Sequence, residues 1–149
     1  RHTDLLLSQV MTALEGTGGC AAMMYTSDHG EDIFDDHRNL FLHASPFPSY
    51  WQLHVPLVVW TSPVYQQHHA DIVTHLAANR HRPAESNSVF HTLLSMGGVA
   101  TRSRNDSLSL ASQSYTDHPR LFIDDHNQPR TYDACMQPID MKQLKKRMK

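Results

Sequence analysis

The segment Asp28-His29-Gly30-Glu31 sets two carboxylates and an imidazole within four residues. Carboxylate oxygen and imidazole nitrogen together suit Zn2+, and they leave Mn2+ less excluded than Ca2+. Adjacent residues on an extended strand point to opposite faces, so Asp28 and His29 share an ion only where the chain turns. Gly30 permits such a turn, through positive φ or through close approach of another backbone. The plain alternative is a strand-end Asp-His pair in a solvated turn. Two histidines downstream extend the pattern. His43 follows Leu42 and precedes Ala44-Ser45-Pro46, where the proline restricts the backbone. His54 stands just before the apolar run 55–60. Both are candidates to approach Asp28 and His29 as second-metal or substrate groups, and His54 reads more readily as a supporting or buried histidine. Asp32, Asp35, Asp36 and His37 read as loop-surface residues. His68, His69, His75, His81, His91, His118 and His126 lack ligand spacing with a carboxylate, and His91, beside Phe90, reads as a core or hydrogen-bonded residue.

The elements around these residues follow from periodicity. Residues 4–15 place Leu6, Val10 and Leu14 at helical spacing, widened by Leu7 and Met11. Thr3 or Asp4 is placed to cap the start, and Gly16, Gly18 and Gly19 end the helix. Residues 20–26 are apolar without alternation, which predicts a strand buried on both faces. Helix, glycine turn and buried strand is the order of an α/β unit, whose ligands sit at the carboxyl ends of strands. The stretch 27–54 has no sustained period and reads as a long functional loop with a short helix near Phe34. Residues 55–60 predict a second buried strand, with Pro56 tolerable only near its start. Helices are predicted over 65–79 and from Ser86 or Asn87 to Met96, the latter stopped by Gly97 and Gly98. Residues 101–118 read as loop with a short strand around 108–110, Leu121 to Ile123 as a strand, and Asp125 to Arg130 as a turn. The tail 141–149 carries five basic residues in nine and reads as a solvated, frayed helix, with membrane-surface contact as the lesser reading.

The 149 residues suit one domain, and a 40% apolar fraction can build a core. A formal net charge of -2 gives no footing for nucleic-acid binding, which needs a basic face. Two cysteines, Cys20 and Cys135, do not make a disulfide scaffold. Cys20 opens an apolar run and is expected to be buried; pairing with Cys135 requires a proximity that sequence does not give. No apolar stretch approaches membrane-span length and no signal peptide is present. The chain opens on Arg1-His2-Thr3 without an initiator methionine, which suggests a piece of a longer protein.

Tyr25-Thr26-Ser27-Asp28-His29-Gly30-Glu31, Leu42-His43-Ala44-Ser45-Pro46 and His54-Val55-Pro56 together resemble the sulfatase-like enzymes of the alkaline-phosphatase superfamily. The nearest among them are the bacterial phosphoethanolamine transferases that modify lipid A and other envelope glycans. The helix opening the chain and Asn87-Ser88-Val89-Phe90-His91-Thr92-Leu93-Leu94 also match. The likeness covers roughly residues 1–100 and weakens over 101–149, although Arg120 to Asp125 fits the family's late strand. It implies an α/β fold, a partial α/β/α sandwich forming the C-terminal portion of a sulfatase-like catalytic domain. Asp28 and His29 match a pair of zinc ligands. His43 matches a histidine of the substrate or second-metal region, and Glu31 a motif glutamate that supports the metal loop or meets the amino end of the substrate. Ala44 stands where the family often has glycine.

The activity so implied is two-step phosphoryl transfer. Phosphatidylethanolamine donates phosphoethanolamine to a threonine of the enzyme, and a lipid A or glycan acceptor then takes it. The metal lowers the nucleophile's pKa and offsets charge on the transferring oxygens, while His43 binds a second zinc or a phosphoryl oxygen or protonates the leaving group. The nucleophile and two further ligands belong to the N-terminal half of such a domain. Thr26 and Thr92 are not that nucleophile. Family members are held in the bacterial inner membrane by N-terminal helices, with the catalytic domain in the periplasm. A fragment with two protein ligands is expected to bind metal weakly, to be inactive alone and to self-associate through apolar surface left open. The alternatives are a sulfuric ester hydrolase or phosphodiesterase of the same superfamily, and a catalytically inactive binding or structural domain.

Overall fold

A computed structural model describes residues 2–43, 48–124, 126–132 and 136–147, with side chains through Lys142. Helices and strands mix along the chain, as the α/β reading expects. In order they are α1 (His2–Gly16), β1 (Ala22–Thr26), β2 (Asp32–Ile33), β3 (Phe41–Leu42), α2 (Tyr50–Leu53), β4 (Leu57–Thr61), α3 (Pro63–His68), α4 (Ala70–Asn79), α5 (Asn87–Met96), β5 (Leu121–Ile123), β6 (Pro129–Thr131) and α6 (Pro138–Arg147), with a 3-10 turn at Asp106–Leu108. The chain divides into two compact units, residues 1–25 with 58–118 and residues 26–57 with 119–149.

The first unit holds the β1–β4 pair and helices α1, α3, α4 and α5. Its core is Tyr65, Met96 and Ala111, against which Met24, Val59, Ile72, Val73 and Leu76 pack. Tyr65 Oη donates to the carbonyl of Met96 at 2.7 Å, so the buried phenol is satisfied. Ser62 fixes the exit from β4. Its Oγ accepts from the amides of Ala21 and Tyr65 and donates to Gly19 O, which ties the turn before β1 to the N-terminus of α3. Thr92 is fully buried, and its Oγ1 accepts from the Leu110 amide at 3.0 Å.

Several expectations change here. α1 begins at His2, so Thr3 and Asp4 lie inside it rather than capping it, and Asp4 complements the helix N-terminus by charge. Leu7, Met11 and Leu14 are its half-buried face, whereas Leu6 and Val10 are exposed. The strand expected to be buried on both faces is half-buried, and Cys20 is exposed, because β1 has β4 as its partner in a two-stranded sheet. Cys135 lies outside the described residues. Residues 63–79 form two helices instead of one: His69 leaves helical geometry at φ -132°, and Ser62 with Pro63 starts the first helix earlier. The strand expected near 108–110 is instead the 3-10 turn and buried loop. α5 runs as expected to Met96, and Gly98 takes the left-handed conformation (φ +66°) that ends it.

The second unit carries the candidate site. Tyr50, Tyr132 and Met136 form its core, with Trp51, Leu53 and Met141 packed on them. β5 and β6 pair antiparallel, with Phe122 opposite Arg130, as the strand expected at 121–123 requires. The segment 27–54 is more structured than its sequence suggests. β2 and β3 pair antiparallel, Asp32 opposite Leu42 and Ile33 opposite Phe41. No helix forms near Phe34, whose φ of +63° takes it out of right-handed helical space.

Beneath this segment lies an ionic core. Asp140 is 2% exposed and accepts from Arg38 Nη1 and Nη2 at 2.9 and 2.8 Å and from the Tyr50 amide at 2.8 Å. Arg38 also holds Asp36, whose carboxyl its guanidinium keeps below the ordinary carboxylate range. Asp36 is therefore a buried-pair residue, not the loop-surface one expected.

Candidate metal centre

The site forms where the chain leaves β1 and enters β2. Ser27 Oγ donates to the His29 carbonyl at 2.7 Å, and the His29 amide donates back to Asp28 Oδ1 at 3.0 Å. This turn lets two adjacent side chains meet. Asp28 Oδ2 lies 3.7 Å from His29 Nε2. The His29 amide, with Asp28's own amide and the neighbouring imidazole, holds the Asp28 carboxyl below the ordinary carboxylate range.

The tautomer of His29 follows from its other nitrogen. Nδ1 lies 3.1 Å from the Gly30 carbonyl, which only accepts, so Nδ1 carries the proton. In the neutral ring Nε2 then presents a lone pair toward Asp28 Oδ2, another acceptor. A carboxylate oxygen and an imidazole nitrogen 3.7 Å apart make a pair that a cation can bridge. Ligand bonds of about 2.0–2.2 Å in tetrahedral geometry put neighbouring donors about 3.4 Å apart. The observed separation is close to that, and metal-binding histidines commonly donate their second nitrogen to a carbonyl as His29 does. The residues fit a zinc ion. Asp28 has 87% of its side chain exposed, which leaves room for further ligands.

Beside this pair stands a second one. His43 Nδ1 donates to Glu31 Oε1 at 2.8 Å, because the carboxylate only accepts, and the neutral ring turns its Nε2 lone pair outward. The His43 and His29 rings pack at 3.8 Å between centroids, tilted by 33°. His29 Nδ1 is 3.8 Å from Glu31 Oε1. His29, Glu31 and His43 thus offer three donor atoms within 4.8 Å of one another. Asp28 and His29 are the expected ligands, with Glu31 and His43 beside them; the structure groups His29, Glu31 and His43, and sets Asp28 against His29 alone. His54 is not in it: its ring stacks on Tyr50 at 4.7 Å, and its amide closes α2 on the Tyr50 carbonyl.

Sequence reasoning missed the residues under the cluster. Asp32, expected on the surface, is 2% exposed. It accepts from Ser49 Oγ at 2.6 Å and from Gln52 Nε2. Ser49 is also the N-cap of α2, accepting from the Trp51 and Gln52 amides. The Gly30 amide donates to the Gln52 carbonyl at 2.8 Å. Gly30 has no side chain because a Cβ there would collide with the Trp51 carbonyl, so close approach rather than positive φ is what it permits.

Comparison with known proteins places this geometry. The sulfatase family profile, described as "Sulfatase", matches residues 1–99. The chain is 28% identical over 109 residues to phosphoethanolamine transferase EptA of Helicobacter pylori, covering 72% of this chain and 19% of that protein. It is 36% identical over 63 residues to the putative transferase YhbX of Escherichia coli, covering 42% of this chain and 11% of the relative. The C-terminal periplasmic domain of EptC from Escherichia coli superposes with a TM-score of 0.71 at 17% identity, over 87% of this chain and 37% of that one. The corresponding domain of EptC from Campylobacter jejuni gives 0.67 at 22% identity, over 78% and 36%. A zinc complex of the Escherichia coli domain gives 0.66 at 18% identity, over 87% of this chain and 36% of that one. The chain spans about a fifth or less of the curated relatives it matches. With two thirds of its length under the family profile and the fold of these domains, the chain belongs to the sulfatase family.

Proposed function

We propose that this chain is the C-terminal part of the catalytic domain of a zinc-dependent phosphoethanolamine transferase, in which Asp28 and His29 hold the metal. The observation that carries the reading is His29 Nε2 facing Asp28 Oδ2 at 3.7 Å while His29 Nδ1 lies on the Gly30 carbonyl. Similarity to EptA and the zinc complex of a structural relative support it. When bound, zinc supplies charge that lowers the pKa of a hydroxyl nucleophile and offsets charge on phosphoryl oxygens.

The chain's own residues then have definite work. Asp28 stays ionised because the His29 amide holds its carboxylate. His29 stays in the Nδ1-protonated tautomer through Gly30 O. His43 has its Nδ1 proton fixed on Glu31, which leaves Nε2 to receive a proton from an incoming hydroxyl or, once protonated, to give one to a leaving oxygen. Glu31 orients His43 and is half-exposed, so it can also meet a substrate ammonium. The nucleophile, a threonine, and the remaining ligands are supplied by residues outside this chain. The donor is phosphatidylethanolamine and the acceptor lipid A or another envelope glycan, with the domain in the periplasm and the parent held in the bacterial inner membrane. The chain alone is inactive. It self-associates through exposed apolar residues such as Leu5 and Leu6 of α1, which light scattering at low micromolar concentration checks.

The test is the intact parent protein with zinc, phosphatidylethanolamine and lipid A, read by mass spectrometry of the acceptor. Mass gain by one phosphoethanolamine, lost in Asp28→Ala and His29→Ala together with zinc content, supports the reading. No transfer, or near-normal metal and turnover in both variants, contradicts it. A sulfuric ester hydrolase is the second reading, favoured by the family profile alone, and a sulfate-release assay on the same preparation separates the two.

A further inference from the structure

Three hydrogen bonds tie the metal loop to α2, and a fourth within the α2 cap closes the circuit. The Gly30 amide donates to Gln52 O, Gln52 Nε2 donates to Asp32 Oδ2, Ser49 Oγ donates to Asp32 Oδ1, and the Gln52 amide donates to Ser49 Oγ. The circuit is closed and its side chains are buried: Ser49 is 0%, Asp32 2% and Gln52 6% exposed. The Ser49 hydroxyl uses its one proton on Asp32 and accepts from the Trp51 and Gln52 amides, so it has no capacity left for another arrangement. Each carboxylate oxygen of Asp32 takes one of the two side-chain donors.

The ties fall on residues 30 and 32, and the site residues 29 and 31 alternate with them. Side chains alternate in direction along an extended chain. With Gly30 flat against the Trp51 and Gln52 carbonyl groups and Asp32 buried on Ser49 and Gln52, His29 and Glu31 both turn the other way, where His43 meets each of them. A slip of one residue would send His29 and Glu31 into α2. Asp32 contributes no atom to the cluster itself.

We propose that Asp32 and Gln52 are positioning residues that set the metal affinity and coordination geometry of His29, acting through the Gly30 amide. This rests on the metal-binding reading of Asp28 and His29. Outer partners that orient a ligand typically change metal affinity by about 10–100-fold when lost.

The test measures dissociation constants for Zn2+, and the visible absorption of bound Co2+, on the intact parent protein, with circular dichroism fixing a temperature at which each variant is folded. Asp32→Asn turns an acceptor into a donor facing the Gln52 amide. Gln52→Glu sets one carboxylate against another. Both are expected to weaken Zn2+ by about 10–100-fold and to alter the Co2+ spectrum. The double variant Asp32→Asn/Gln52→Glu reverses donor and acceptor with the same net charge, and it is expected to recover affinity and spectrum. Singles that match the wild type in affinity and spectrum overturn the proposal, as does a double variant no better than the singles. If a single variant fails to fold, Gln52→Ala replaces it, since it removes one side-chain donor to Asp32 and keeps the Ser49 cap and the Gln52 carbonyl; weakened Zn2+ supports the proposal and unchanged Zn2+ overturns it. Wild-type binding no tighter than that of His29→Ala removes the metal reading and this inference with it. Wild-type binding that His29→Ala abolishes, with the Asp32 and Gln52 variants unchanged, removes this inference alone.

Discussion

His29 Nε2 faces Asp28 Oδ2 at 3.7 Å, while Nδ1 of the same ring donates to Gly30 O. Adjacent residues seldom face each other. They do so here because Ser27 Oγ, donating to the His29 carbonyl, and the His29 amide, donating to Asp28 Oδ1, bend the chain between them.

Gly30→Ala tests the close approach under the loop. A Cβ meets the Trp51 carbonyl, which is backbone and cannot swing aside. Forcing extra volume into such a contact costs about 1–3 kcal/mol or more. Denaturant unfolding is expected to show that loss, together with weakened Zn2+ binding. Stability within about 0.5 kcal/mol of wild type would contradict the packing described.

Arg38→Ala should destabilise the second unit by about 3–5 kcal/mol, because it strands the buried carboxylates of Asp36 and Asp140 without their partner. Arg38→Lys should recover little, since one ammonium cannot serve two carboxylates as the planar fork does. Thermal melting of both variants checks this.

The same pair gives a pH dependence. The Asp36 carboxyl titrates lower in the folded protein than in the unfolded chain, because Arg38 hydrogen-bonds it. Its contribution is complete above the ordinary carboxylate pKa and is lost as pH falls through the depressed folded value. Melting temperature is expected to drop below about pH 4, and Asp36→Asn to flatten that acid limb while lowering stability at neutral pH. An acid limb unchanged in Asp36→Asn would place the effect elsewhere.

Thr92→Val separates structure from chemistry. The Oγ1 of Thr92 is buried on the Leu110 amide, so its loss leaves that amide unpaired at about 1–3 kcal/mol. Zn2+ affinity and transfer activity of the intact protein should stay at wild-type values at a temperature where the variant is folded. Loss of activity there would give Thr92 a catalytic role.

What the sequence revealed and what it concealed divide along local and distant partners. Asp28, His29 and Gly30 were legible because their relationship is encoded within three residues. Glu31 and His43 were legible as candidates, but their hydrogen bond spans twelve positions and leaves no period to read. Asp32 looked like a surface acid because its partners, Ser49 and Gln52, stand 17 and 20 residues away. The segment 27–54 read as loop because β2 and β3 are two residues each, too short to show alternation. The helix over 65–79 read as continuous because its apolar spacing carries across His69, where the backbone breaks.

The central claim is that Asp28 and His29 share one zinc ion. Anomalous diffraction at the zinc edge from crystals of the zinc-loaded intact protein tests it most directly. The expected result is a zinc peak about 2.0–2.2 Å from Asp28 Oδ2 and His29 Nε2, with His29 Nδ1 still on Gly30 O. A peak held by Glu31 and His43 with Asp28 unbound, or no peak beside His29, would contradict it.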